Sequence, residues 1–258
     1  MIRFSRGSAG LLAVALAVLA FQASPSAHHR WKRYHWARTQ NPLNLTLGRN
    51  LSTAWQNYLQ AASSDWSSSN VLNTTVGSGD TTGATCDPTL GKVEVCNASY
   101  GATGWLGVAR IWITTGTHIA QGTVKVNDYY FNQSQYNSPA WRQFVMCQEV
   151  GHEFGLDHQD ENFNNTNLGT CMDYTSDPDG TVNGQLSNLH PNAHDYEELD
   201  IIYAHLDSFN TASPAKTPSL NDPSEWGQLM KTAHGGKTQI FERNFGNGEI
   251  VVTFVIWA

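Results

Sequence analysis

The chain has 258 residues, with 15 basic and 22 acidic side chains and a net charge of −7. An apolar content of 40%, with nine tryptophans, suits a packed globular core and excludes a disordered or repetitive chain. The acidic balance argues against nucleic acid and anionic membrane surfaces as partners.

Arg3 and Arg6 precede the apolar run Leu11–Phe21, and small residues follow through Ala27. Residues 1–27 read as a secretory signal peptide, because the run is too short to span a bilayer. A secreted protein is expected. Without the leader, 13 basic face 22 acidic residues, a balance of −9. The remaining chain reads as a main domain over 28–210 and a linker with a small C-terminal unit over 211–258.

His28–Trp36 (HHRWKRYHW) is a basic, aromatic lead-in that reads as an exposed arm. The alternative is a copper-binding N-terminal histidine, should cleavage follow Ala27. Leu43–Leu47 alternates as a strand, and a helix is predicted from about Leu51 to Trp66, with Trp55, Tyr58, Leu59 and Ala62 on one stripe. Strands are predicted at Val71–Val76, Val93–Tyr100, Leu106–Thr114 and Gly122–Phe131. A helix over Pro139–Gly155 follows, then one from about Asn192 to Leu206 striped by Tyr196, Leu199, Ile202 and Tyr203. Beyond a Pro/Ser/Asn-rich linker from Thr211, the tail reads as a helix around Glu225–Thr232 and a hairpin, QIFERNF–GNG–EIVVTFVIWA. This unit is too small for an independent core.

The stretch Trp141–Tyr174 carries the chemistry. Glu149, His152, Gly155 and His158 keep the spacing E-x-x-H-x-x-G-x-x-H, and Met172 and Tyr174 follow a short loop. Residues four apart share a helix face, so Gln148 and His152 can address one point, with Glu149 about 100° round the turn. Gly155 falls where the apolar stripe ends and can terminate the helix in a left-handed conformation. The chain can then turn back to offer His158. A metal-free Gln–His pair on an ordinary core helix is the competing reading, and its polar groups would need partners.

Four cysteines in an exported chain point to two disulfides. Three pairings are possible. Cys86–Cys96, closing a short loop, with Cys147–Cys171, bracing the helix beside Gln148 to the residue before Met172, is preferred. No pair has C-x-x-C spacing, which argues against a cysteine metal site.

The motif resembles the signature of the metzincin zinc proteases, H-E-x-x-H-x-x-G-x-x-H with a Met-turn, with Gln148 at the first histidine position. From about Trp36 to Phe209 the chain looks like a matrixin-type catalytic domain. The resemblance implies an α+β fold in which a twisted mixed sheet packs on two long helices, the active-site helix leading into the Met-turn and a C-terminal helix. It implies a Zn2+ cofactor held by His152, His158 and Gln148. Glu149 would be the general base and acid, Met172 the Met-turn residue, and Tyr174 a tyrosine that steadies the oxyanion; a plain core tyrosine is the other reading. Ile119–Asp128 is similar in position to the edge strand that pairs with an extended peptide.

The implied function is a secreted zinc endopeptidase acting, as a monomer, on protein or peptide substrates. A weak or inactive metzincin-like module that only binds peptide is the alternative, since a neutral amide oxygen is a weaker zinc ligand than imidazole. A structural or copper-binding secreted protein is the third reading. The run DHQDENFNN after Leu156 offers Ca2+ carboxylates in Asp157, Asp160 and Glu161 but lacks EF-hand spacing. His118, His190, His194, His205 and His234 read as surface or capping residues, with His194 a replacement-ligand candidate.

Overall fold

A computed structural model describes residues 28–258 except 115, 183 and 212–219, and of His234 the backbone alone. The signal peptide expected at 1–27 and most of the linker lie outside the described residues. Nine strands form one sheet: β1 (His35–Trp36), β2 (Leu43–Asn50), β3 (Leu72–Ser78), β4 (Lys92–Ala98), β5 (Trp105–Thr114), β6 (His118–Asn127), β7 (Gln228–Ala233), β8 (Thr238–Gly246) and β9 (Glu249–Trp257). The helices are α1 (Thr53–Trp66), α2 (Asp128–Phe131), α3 (Pro139–His152) and α4 (Ala193–Ile202). The fold is α+β.

The strand order is β3-β2-β4-β6-β5-β9-β8-β7, with β1 beside β6. Strands β2, β3, β4 and β6 are parallel, and from β5 onward every pairing is antiparallel. The long helices α1 and α3 lie against one face, burying Trp55, Leu59 and Trp66 from α1 and Phe144, Val145 and Val150 from α3 in the main core.

Three expectations about residues 28–210 are corrected. The strand predicted to reach Phe131 ends at Asn127, whose side chain accepts the Tyr129 amide and caps α2. Residues 119–128 do not form an edge, because β6 sits between β4 and β5. The lead-in is not an exposed arm: His29, Tyr34, His35 and Trp36 are buried. Trp31 donates its amide to Gly155 (2.9 Å), Asp157 donates to the His29 carbonyl (2.7 Å), and the Trp36 indole donates to the Glu153 carbonyl (2.8 Å). These bonds satisfy backbone groups that the loop after α3 would otherwise leave bare.

The C-terminal segment joins the main sheet. The hairpin turns through Asn247 and Gly248, both at positive φ, as its GNG sequence requires. Its second strand, β9, pairs with β5 from Ile250 opposite Ile113 to Trp257 opposite Trp105. Instead of a helix over 225–232, Pro223–Glu225 makes one tight turn and the chain continues as β7. Gly227 at φ 95° breaks the path, and a Cβ there would lie 2.4 Å from the Glu242 carbonyl oxygen. Both faces of β9 are covered. Val252, Phe254 and Ile256 enter the main core, while Val251 and Val255 pack with Trp105, Val108, Trp112, Leu220 and Trp226 on the opposite face of the sheet.

The cysteines pair as Cys86–Cys96 and Cys147–Cys171. Among the described residues no helix is long and apolar enough to cross a membrane.

Candidate metal centre

Helix α3 begins where Ser138 accepts the Trp141 amide (3.2 Å) and Pro139 takes the first turn. From Gln143 to His152 every residue is buried, so this is a central helix covered on all sides. Glu149 faces the sheet. A Cβ on Gly107 of β5 would lie 2.5 Å from Glu149 Oε1, so only glycine leaves room for that carboxyl group. The Ala109 amide donates to the same carboxyl. Gly155 ends the helical run at φ 92°, and a Cβ there would meet the Tyr34 carbonyl oxygen at 2.1 Å. The glycine expected for chain reversal thus also admits the N-terminal segment.

The reversal brings His158 to His152, their rings nearly perpendicular with centroids 4.5 Å apart. His152 Nδ1 donates to the Leu156 carbonyl (2.9 Å). His158 Nδ1 faces Glu161 Oε1 (3.3 Å) and Asp157 Oδ1 (3.4 Å). Each imidazole is therefore oriented through Nδ1 and has Nε2 left to offer, the arrangement in which histidines ligate metals. The Asp157 and Glu161 carboxylates are themselves held by Lys231 of β7, at 2.7 and 3.0 Å. A lysine ammonium thus engages two of the three carboxylates that could offer oxygen to Ca2+.

Met172 is buried against the helix, where a Cβ on Gly151 would approach its sulfur to 2.7 Å. Tyr174 sets its ring 4.6 Å from that of His158. Its hydroxyl neighbours Thr238 of β8, yet both oxygens are buried without a satisfied hydrogen bond. Gln148 stands one turn before His152, and both its amide atoms are buried with no partner, as is Glu149 Oε2. Such orphaned groups are costly to bury, and a bound ligand would relieve the cost. Two imidazoles engaged at Nδ1 and a bare amide oxygen make a donor set that fits a zinc ion.

Burial drives the titration. It pushes the Glu149 carboxyl well above the ordinary range, with the Ala109 amide opposing. Burial, and His158 after it, push His152 well below. Burial acts to lower His158 as well, but the hydrogen bonds it donates to Asp157 and Glu161 override it and the net shift is upward. The Tyr174 phenol is raised well above its usual value by burial.

The centre is covered. Among Gln148, Glu149, His152, His158, Met172 and Tyr174, none is more than 5% exposed. Phe254 of β9 stacks on the His152 ring, 4.3 Å between centroids and 6° from parallel. Without the C-terminal segment β5 would be an edge of the sheet, and β9 takes that side. Phe254, Lys231 and Gly107 have no place in the sequence-based site. The signal for Phe254 is the run Ile250–Trp257, apolar at every position but Thr253 and too apolar for a strand with a wet face. Nothing local marks Lys231.

No family model matches the chain, and no curated protein matches it. Among solved structures it is similar to high choriolytic enzyme 1, a hatching enzyme zinc-protease from the medaka fish Oryzias latipes, with 11% identity and a TM-score of 0.37. The likeness covers 66% of this chain and 94% of that one.

Proposed function

We propose that this chain is a secreted zinc-dependent endopeptidase whose centre is closed, in the state described, by its own C-terminal strand. The observation that carries this reading is the pair of Nδ1-anchored imidazoles, His152 and His158, one turn from the unpartnered amide of Gln148 and carboxyl oxygen of Glu149. Those three ligands would hold the ion, with Gln148 the weakest. Zinc, when bound, supplies Lewis acidity toward a water molecule and a peptide carbonyl. Glu149 takes up the proton of the attacking water and hands it to the leaving amine, a task suited to a carboxyl raised by burial. Tyr174, its hydroxyl free to donate, steadies charge developing on the carbonyl oxygen. The substrate is an extended segment of protein that adds to β5 through its main chain, and β9 holds that place intramolecularly. The chain acts as a monomer.

A second reading is favoured by Phe254 on His152: the C-terminal strand is permanent, and the domain binds without cutting. Zinc content by mass spectrometry and casein hydrolysis, measured on the mature chain beside Gln148→His, His152→Ala and Phe254→Ala, separate the two. We expect His152→Ala to carry one zinc equivalent fewer than the parent, and faster hydrolysis in Phe254→Ala. A parent that matches His152→Ala in zinc content, while Gln148→His gains one equivalent, would sink the protease reading.

A further inference from the structure

A second group of histidines, far from α3 in function and unused by the proposed chemistry, converges on Asp207 just after α4. His35 comes from β1, His118 from the first residue of β6, and His205 from the turn beyond α4. Their Nε2 atoms lie 3.6, 3.3 and 3.5 Å from the same carboxylate oxygen, Asp207 Oδ1. The ligand atoms of His35, His205 and Asp207 all fall within 4.8 Å of one another. The His35 ring stands 4.9 Å from both the His118 and His205 rings, close to perpendicular to each.

These separations are long for strong hydrogen bonds, whose donor–acceptor distances run from about 2.7 to 3.2 Å. They match instead the edges of a tetrahedron built on metal–ligand bonds of roughly 2.0–2.1 Å, which are about 3.3 Å. One carboxylate oxygen cannot satisfy three imidazoles in any case. His35 Nε2 is buried and left without a hydrogen bond. The outer partners are already set as a metal site requires. His35 Nδ1 donates to the Arg33 carbonyl (2.8 Å), which leaves Nε2 as the free nitrogen, and Asp207 Oδ2 accepts the Arg38 amide (3.0 Å), which leaves Oδ1 for the cluster. The His205 side chain is 58% exposed, so an ion can reach the group from solvent.

We propose that His35, His205 and Asp207, joined by His118, bind a divalent transition-metal ion of the zinc type at a site distinct from Gln148, His152 and His158. The imidazole-rich set selects zinc, cobalt, nickel or copper over calcium or magnesium, which prefer oxygen ligands. Its role is structural. The ion clips β1 and the start of β6, already paired at His35 and His118, to the chain leaving α4. The proposal does not depend on the peptidase reading.

The test uses the full mature chain, freed of metal by chelator and titrated with Zn2+ and Co2+, alongside His205→Ala, His205→Cys, His152→Ala and the His152→Ala/His205→Ala double variant. His205 is exposed, so its replacement leaves the fold intact, as circular dichroism will verify. We expect His152→Ala to retain a tight zinc equivalent and a zinc-dependent rise in Tm, and the double variant to lose both. In His205→Cys, Co2+ should gain a thiolate charge-transfer band, placing the ion at this residue. The proposal is overturned if folded His205→Ala binds zinc with the parent's stoichiometry and affinity, or if the Co2+ spectrum of His205→Cys shows no thiolate band.

Discussion

Gln148 and Glu149 are adjacent on α3, yet their surroundings ask different things of them. Glu149 is boxed by Gly107 and bonded by the Ala109 amide, which fixes one oxygen and leaves Oε2 bare. Gln148 has no such partner on either atom. A Glu149→Gln variant keeps the shape and the Ala109 bond but cannot take up a proton. It should therefore retain the parent's zinc content while losing about 100- to 10,000-fold in peptide hydrolysis, the usual worth of a general base. Equal loss of metal and activity in that variant would mean that Glu149 holds the site together rather than moving protons.

At the scale of elements, α3 is tied down from three directions. Trp66 of α1 donates its indole to the Cys147 carbonyl (3.1 Å), β5 receives Glu149, and the Cys147–Cys171 bond fastens the helix to the Met-turn. That bond closes a loop with a sequence separation of 24, for which chain entropy alone gives about 3 kcal/mol. Replacing both cysteines by alanine should lower stability by about 2–5 kcal/mol in urea unfolding, with zinc affinity falling as the Met-turn loosens. Strand β9 is the fourth constraint. Phe254 is fully buried, and its truncation to alanine should cost about 3–5 kcal/mol. Unfolding midpoints that moved by much less would mean that the ring leaves the His152 face easily, and that the cover over the centre opens at little cost.

At the scale of the whole molecule, the C-terminal segment is bound to the far face of the sheet through a buried cation. Lys125 of β6 donates to the Thr85 carbonyl (3.0 Å) and to Asn221 Oδ1 (2.6 Å), and lies over the Tyr100 ring. Burial, with the Arg110 charge after it, pushes its pKa down to about 7 from 10.5. Between those values the unfolded chain binds a proton that the folded chain does not, so stability from this group rises with pH. Its contribution is fully present above 10.5 and is lost as the pH falls through about 7. A Lys125→Met variant should flatten the rise in urea midpoint measured between neutral and alkaline pH. Parallel curves for the two proteins would show that Lys125 keeps an ordinary pKa.

What the sequence alone determined is local in origin. Helix α3 was legible because its apolar stripe and motif residues lie within one short window, and Gly155 marks the place where the helical run ends. Of three possible cysteine pairings the observed one was preferred, Cys86–Cys96 for its short loop and Cys147–Cys171 as a brace beside the motif, and the β8–β9 turn followed from its Asn-Gly pair. What only the tertiary structure decided depends on contacts between distant segments. That β6 is internal, that β9 lies along β5 with Phe254 on His152, that Lys231 holds Asp157 and Glu161, and that His35, His118 and His205 meet at Asp207 are all matters of strand order and register. Hydrophobic periodicity states which residues are buried, but not which partner buries them. A strand apolar on both faces fits any gap between two cores, and here the gap it fills is the one above the candidate metal centre.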